Sequence, residues 1–251
     1  MNKQLLTEMQ NAVKSTVSDN KIGVAFSGGV DSTLLAKVLK DMDYDINLLT
    51  VGFHESHDIN FALEVNQILD YQHNILEIDP TTFKEISSEI HSVIKTDNLS
   101  WNENSIAFYY VSKLAQDNGL TTVVTANGID ELFCGYNSYR EAISIGENEV
   151  VKMMNSKLEN EKQMMIAVNN VCSKFGVQII QPLLSPSFIA FAKKIPISDK
   201  IYGSDDLMRK HVIRSLAIDC DVPEISARKK KKALQYGSQI HKALVKSRKT
   251  S

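Results

Sequence analysis

Ser27-Gly28-Gly29-Val30-Asp31-Ser32 places two hydroxyl groups, two glycines and one carboxylate within six residues, a set suited to gripping an anion. Glycines let backbone amides approach phosphate oxygens closely, and the first turn of a following helix adds roughly half a positive charge. Ser27 and Ser32 can donate; Asp31 is the odd member. A carboxylate beside a polyphosphate is repulsive unless a divalent cation lies between them. The pattern therefore suits a nucleotide whose pyrophosphate leaves with magnesium. It lacks the lysine of a GxxxxGK[ST] phosphate loop. A Gly-Gly turn that merely joins strand to helix would leave Asp31 and the spacing unexplained.

A second stretch, Thr125-Ala126-Asn127-Gly128-Ile129-Asp130-Glu131-Leu132-Phe133-Cys134-Gly135-Tyr136, repeats the device: a strand end, a glycine turn and carboxylates at a helix start. If both loops open at one sheet edge, Asp31 and Asp130 can share one magnesium ion. The competing reading is an Asp-Glu helix cap, worth about 1 kcal/mol. Tyr136 stands either beside a substrate or packed on a helix. His54 and His57 flank a loop after the second strand with no third ligand evident. Cys134 reads as a small buried thiol rather than a persulfide carrier. Trp101 closes the 97–100 loop and either walls a channel or packs.

The elements that must position these residues follow from hydrophobic period. Lys21–Phe26, Ile46–Val51, Asn74–Ile78 and Leu120–Thr125 read as strands. Helices are expected after residue 30, over 58–71, from 79–81 to 94, over 103–117 and from Asp205 to about Ile218. Helix boundaries between 138 and 175 are poorly marked, and Pro182, Pro186 and Pro196 punctuate a loop-helix-loop section. This alternation predicts an α/β fold, a doubly wound parallel sheet with a helical C-terminal part and ligands at the carboxyl ends of the strands. The expected organisation is an N-terminal helix over 1–19, then one unit over 20–251. Its sheet part covers about 20–136 and its mainly helical part about 137–251.

Over 251 residues, 43% hydrophobic and 23% charged residues are ordinary for a globular chain able to bury a sizeable core. A net charge of −2 argues against a generally basic nucleic-acid binder. Three widely spaced cysteines fit neither a zinc site nor a disulfide framework. With no signal peptide and no apolar run long enough to span a bilayer, the expectation is a cytoplasmic protein without membrane contact.

The first motif resembles the PP-loop of ATP pyrophosphatases, of the adenine nucleotide α-hydrolase-like fold. With the second it resembles the synthetase domain of asparagine synthetase and β-lactam synthetase. SGGVDS matches that family's SGGxDS, and DELFCGY nearly matches DELFGGY. Leu48-Leu49-Thr50-Val51-Gly52-Phe53 resembles its adenine-binding strand end, and Phe188–Pro196 also fits. The resemblance covers about residues 20–240. It implies ATP bound through Phe26, Ser27, Gly28, Gly29, Asp31, Ser32, Val51 and Ala126. It also implies magnesium on Asp31 and Asp130, a substrate near Asn127 and Glu131, and a catalytic place for Tyr136 beside the acceptor.

The segment Arg228-Lys229-Lys230-Lys231-Lys232 matches the one that supplies a catalytic lysine. Counting back six from Gly237 selects Lys231, with Lys230 the alternative register. A cation there stabilises charge developing on the α-phosphate, whereas the plain reading of such a run is a solvated surface.

Two departures bear on the acceptor. Asn127 stands where the family has a carboxylate suited to taking a proton from the incoming amine. Gln178, Ile180 and Ser185 replace a Glu/Arg/Asp cluster. Only about twenty residues precede the first strand, so no internal glutaminase is expected. Nitrogen would come from free ammonia, a substrate amine or a separate glutaminase subunit. The implied function is an ATP-dependent carboxylate–amine ligase acting on a small carboxylate such as aspartate. Two alternatives stay open: a PP-loop enzyme modifying tRNA, and a non-catalytic ATP-binding homologue serving as a partner subunit.

Overall fold

Five short apolar segments pair side by side, all parallel, in a computed structural model that describes residues 1–229 and 234–249. They are β1 (Lys21–Ala25), β2 (Asp45–Gly52), β3 (His73–Glu77), β4 (Thr122–Val124) and β5 (Gln178–Ile180). The sheet order is β3-β2-β1-β4-β5, with Val24 opposite both Leu48 and Val124. The chain runs outward from β1 through β2 to β3, then returns to place β4 on the other side of β1. The strand order reverses there, between β1 and β4, and the carboxyl edge at such a reversal is the usual ligand position in such sheets.

Alternation along the strands sends side chains to two layers. Leu48, Val24 and Val124 face one side, against Leu35 and Leu39 of α2 (Val30–Asp41) and Val65 of α3 (His57–Leu69). The N-terminal helix α1 (Asn2–Thr16) buries Val13 in that layer and turns Leu5 and Met9 toward the C-terminal helices. Leu49, Val51, Val123 and Ile179 face the other side, against α5 (Leu99–Asp117) and the 26-residue α8 (Glu147–Cys172), with α4 (Phe83–Ile94) outside. A third apolar group gathers α6 (Ile129–Leu132), α7 (Ser138–Ile145), α9 (Pro186–Lys194) and α10 (His211–Asp219) beside α1 and α2. Short α11 (Glu224–Ala227) and α12 (Leu234–Gly237) and the final α13 (Ile240–Lys249) complete the described elements. None of the described helices is long and apolar enough to cross a membrane.

Several expected boundaries shift for local reasons. The first helix ends at Thr16, before the 1–19 span is complete. The expected start near Asp79 is instead a turn, Asp79 accepting from the backbone and hydroxyl of Thr81, so α4 begins at Phe83. Asn98 accepts the amide of Trp101 as an N-cap, which starts α5 at Leu99 and puts Trp101 on the helix rather than in a loop. The helix expected from Asp205 begins only at His211, because Asp206 captures the amides of Met208 and Arg209 and because Arg209 and Lys210 are left-handed.

Candidate functional site

The loop after β1 is built around Gly28, whose φ of +72° favours glycine and whose added Cβ would meet the Phe61 carbonyl at 3.0 Å. Gly29 caps α2, and Ser32 Oγ accepts from the Ser27 amide (3.3 Å) while donating to the Gly29 carbonyl (3.2 Å). From the C-terminal part, Ser226 Oγ donates to the Gly28 carbonyl at 2.6 Å. The turn that would carry phosphates is therefore fixed from both sides.

The loop after β4 turns at Gly128 (φ +104°), where a Cβ would lie 2.9 Å from the Leu183 carbonyl. Glu131 braces this turn: its Oε2 accepts the Gly128 amide at 3.1 Å and its Oε1 accepts the Tyr136 hydroxyl. Asp130 points the other way and meets Asp31 at a common partner, Lys210. Lys210 Nζ lies 2.5 Å from Asp31 Oδ2 and 2.6 Å from Asp130 Oδ1. The lysine is buried; burial opposes its charge, but Asp130 and Asp31 outweigh it and raise its pKa above the ordinary lysine value. Gly135 makes this approach feasible, since a Cβ there would sit 1.8 Å from Asp130 Oδ1 and 2.4 Å from Lys210 Cε.

These groups line one cavity of about 460 Å³. Ala25, Leu49, Val51, Phe108 and Val111 give it an apolar wall of a kind that suits a nucleobase. Asn104, Asn127, Lys157, Asn160 and Glu161 give it a polar one. Lys229 also reaches the cavity, with Nζ 3.8 Å from the centre of the Phe61 ring, which stacks on His57.

Of the residues singled out from sequence, Phe26, Ser27, Gly29, Asp31, Ser32, Val51, Ala126, Asn127, Asp130, Glu131 and Tyr136 all line this cavity. Gly28 is not part of the lining and instead forms the turn, packed on Phe61. Lys230 and Lys231 fall outside the described residues. Tyr136 is held neutral: burial, then the negative charges of Glu131, Asp130 and Glu161, push its phenol well above its ordinary value. Burial pushes the Cys134 thiol up to about 12, which makes it inert packing. His57 and Asp58 reach the cavity, whereas His54 pairs with Glu77 at the surface (2.9 Å). Trp101 donates from Nε1 to Asn160 at 3.0 Å, tying α5 to α8.

Sequence reasoning missed Lys210, Lys157 and Glu161. No local motif marks them; the one available signal was an Arg-Lys pair beside an Asp-rich turn, which reads as a helix start.

Asp31 and Asp130 converge closely enough to share one ammonium, and two hard carboxylates fit magnesium, which takes one or two carboxylates plus substrate phosphates. Among the described residues no cluster of three or more His, Cys, Asp or Glu could hold a metal by itself.

The asparagine synthase family model matches residues 4–170. A Methanocaldococcus jannaschii protein named as an asparagine synthetase [glutamine-hydrolyzing] is 27% identical over 95% of this chain and 50% of its own length. Asparagine synthetase B [glutamine-hydrolyzing] of Escherichia coli is 25% identical over 84% of this chain and 40% of its own. The chain thus spans about half the length, or less, of these curated relatives. Among solved structures, an NMN synthetase from Francisella tularensis superposes with a TM-score of 0.51 at 15% identity. It covers 94% of this chain and 75% of that one, a likeness of fold.

Proposed function

Because the chain belongs to the asparagine synthase family, we propose that it is an ATP-dependent ligase that adenylates a small carboxylate, releases pyrophosphate and passes the acyl group to ammonia or an amine. The observation that carries this reading is the meeting of Asp31 and Asp130, from two separate sheet-edge loops, at Lys210 on one cavity. ATP would lie with its base against Val51, Leu49 and Phe108 and its phosphates at Ser27, Gly29 and Ser32. Asp31 and Asp130 would hold magnesium, which when bound offsets the charge of the departing pyrophosphate. Lys210, kept charged by its two carboxylates, is poised to move onto phosphate oxygens as they arrive. A carboxylate oxygen of the substrate attacks the α-phosphate, and Lys231 or Lys230 would steady the charge that develops there. Aspartate is the first acceptor to consider. The nitrogen would come from free ammonia, from a substrate amine, or as ammonia from a separate glutaminase subunit.

The test is pyrophosphate release from Mg-ATP and ammonium, with L-aspartate, other small carboxylates and bulk tRNA added in turn. Release is expected with a small carboxylate and not with tRNA. Asp31→Ala and Asp130→Ala should each cut it by about 100-fold or more. Wild-type rates in both variants would overturn the proposal, and release driven by tRNA alone would move the chain to a different reaction.

A further inference from the structure

Forming an amide from an acyl-adenylate leaves a surplus proton on the attacking nitrogen, and Asn127 cannot take it. Its side chain is committed at both ends: Oδ1 accepts from Thr125 Oγ1, and Nδ2 donates to Glu161 Oε1 at 2.5 Å. The amide thus fixes a carboxylate that projects from α8, is only 5% exposed and lines the same cavity. Holding a buried carboxylate in one orientation beside a substrate cavity is what a proton acceptor needs.

The other acidic groups on the cavity make contacts that hold loops and other side chains in place and do not meet Asn127. Both Glu131 oxygens brace the loop, one on the Gly128 amide and one on the Tyr136 hydroxyl. Asp31 and Asp130 share Lys210. Asp58 pairs with His57 at 3.2 Å and packs against Gly237. Tyr136 is a neutral phenol and so a donor. Lys157, one turn earlier on α8 and lining the same cavity, supplies counter-charge on Glu161's side.

Resting on the ligase reading above, we propose that Glu161 is the catalytic proton acceptor for an ammonia or primary-amine nucleophile, and that Asn127 is the residue that positions it. The neutral nitrogen attacks the acyl carbon and forms the C–N bond. The bond from that carbon to the phosphate oxygen breaks, and AMP leaves with its electron pair. One N–H proton passes to the Glu161 carboxylate and from there to solvent. The basic group of this site then lies on α8 rather than on the loop after β4.

The two half-reactions separate this role from the rest of the site. The carboxylate giving the strongest ATP–pyrophosphate exchange with the full chain is used with ammonium chloride and, in parallel, with hydroxylamine. Hydroxylamine is mostly neutral at pH 7 and is the stronger nucleophile, and the proton it sheds after attack can pass to water. Ammonium must also lose a proton before its nitrogen can attack, so hydroxamate formation depends far less on a positioned base. Glu161→Gln is expected to keep exchange and hydroxamate formation within about threefold and to lose amide formation from ammonium by about 100-fold or more. The paired change Asn127→Glu with Glu161→Gln exchanges the partners while keeping one amide and one carboxylate. It should restore at least a tenth of the wild-type amide rate, on the order of what a well-placed base contributes.

Amide formation by Glu161→Gln near the wild-type rate overturns the proposal. So does an equal loss of exchange, hydroxamate and amide, with the melting temperature preserved or not, since that marks a structural role. A wild-type protein that shows no exchange with any carboxylate overturns the ligase reading itself, a result distinct from loss in the variant alone.

Discussion

At the scale of single residues, the site depends on how closely two loops and one lysine approach. Gly135 is the sharpest case, because the space a methyl group would need is filled by Asp130 Oδ1, by Lys210 Cε and, at 2.8 Å, by the Asp130 Cα. Side-chain tips can swing away, but the Cα cannot, so Gly135→Ala must displace the start of α6. The expected cost is about 1–3 kcal/mol, as for overpacking of a tight interior. Because the displaced residue is Asp130, pyrophosphate release should fall by more than tenfold in the same variant. Equilibrium unfolding together with the release assay checks both, and an unaltered release rate would show that the Asp130–Lys210 contact does not matter to activity.

Asp31 and Asp130 were legible in sequence because a glycine turn at a strand end demands particular residue types within a few positions. Lys210 was not, since its importance comes from a partner 179 positions away in the chain. Glu161 was hidden likewise, in a long helix whose many other charges mask the one that is buried.

At the scale of elements, the turn before α10 decides where Lys210 points. Asp206 accepts the amides of Tyr202 (3.0 Å), Met208 (3.0 Å) and Arg209 (2.9 Å) and pairs with His211 Nε2 (2.6 Å). Burial alone would raise its pKa, but the Arg209 and Tyr202 amides and His211 outweigh it and pull it from 3.8 to about 2. A folded value below the unfolded one means that the stabilisation is complete above about pH 4 and is lost as pH falls toward 2. The shift corresponds to about 2 kcal/mol. Urea midpoints between pH 5 and pH 2 should fall more steeply for wild type than for Asp206→Asn, which should also be less stable at pH 7 by about 1–2 kcal/mol. Parallel curves would remove Asp206 from the acid response.

This turn also shows why the sequence misplaced a helix start: apolar period alone favours continuing α10 backward, and the competing hydrogen bonds of one aspartate are invisible to it. Strands β1 to β4 were readable because each is a short β-rich run between turn residues. β5, three residues opening on Gln178, offers too little period to recognise.

At the scale of the whole molecule, the cavity belongs to neither end of the chain. The phosphate turn after β1 is latched by Ser226, and Lys210 arrives from the loop before α10. The segment after the lysine run is tied back as well. Phe53 donates its amide to the Ser238 carbonyl (3.1 Å), Ile240 and Leu244 join the core around α5, and His241 meets buried Glu103 at 2.6 Å. A ligand that needs all of these contacts binds only when all are in place, so its binding free energy stabilises the whole fold rather than one part. At Mg-ATP concentrations of about 100 times Kd the linkage is about 2.7 kcal/mol. For a chain of this size that raises the melting temperature by about 5–10 °C.

Trp101, the one tryptophan, reports the α5–α8 contact through its bond to Asn160, while far-ultraviolet circular dichroism reports all the helices. Both signals should melt together, with and without Mg-ATP, and shift by the same amount. Two separated transitions, only one of them moved by nucleotide, would mean that the sheet edge binds ATP without its C-terminal latch. The cooperative assembly argued from Ser226 and Lys210 would then be wrong.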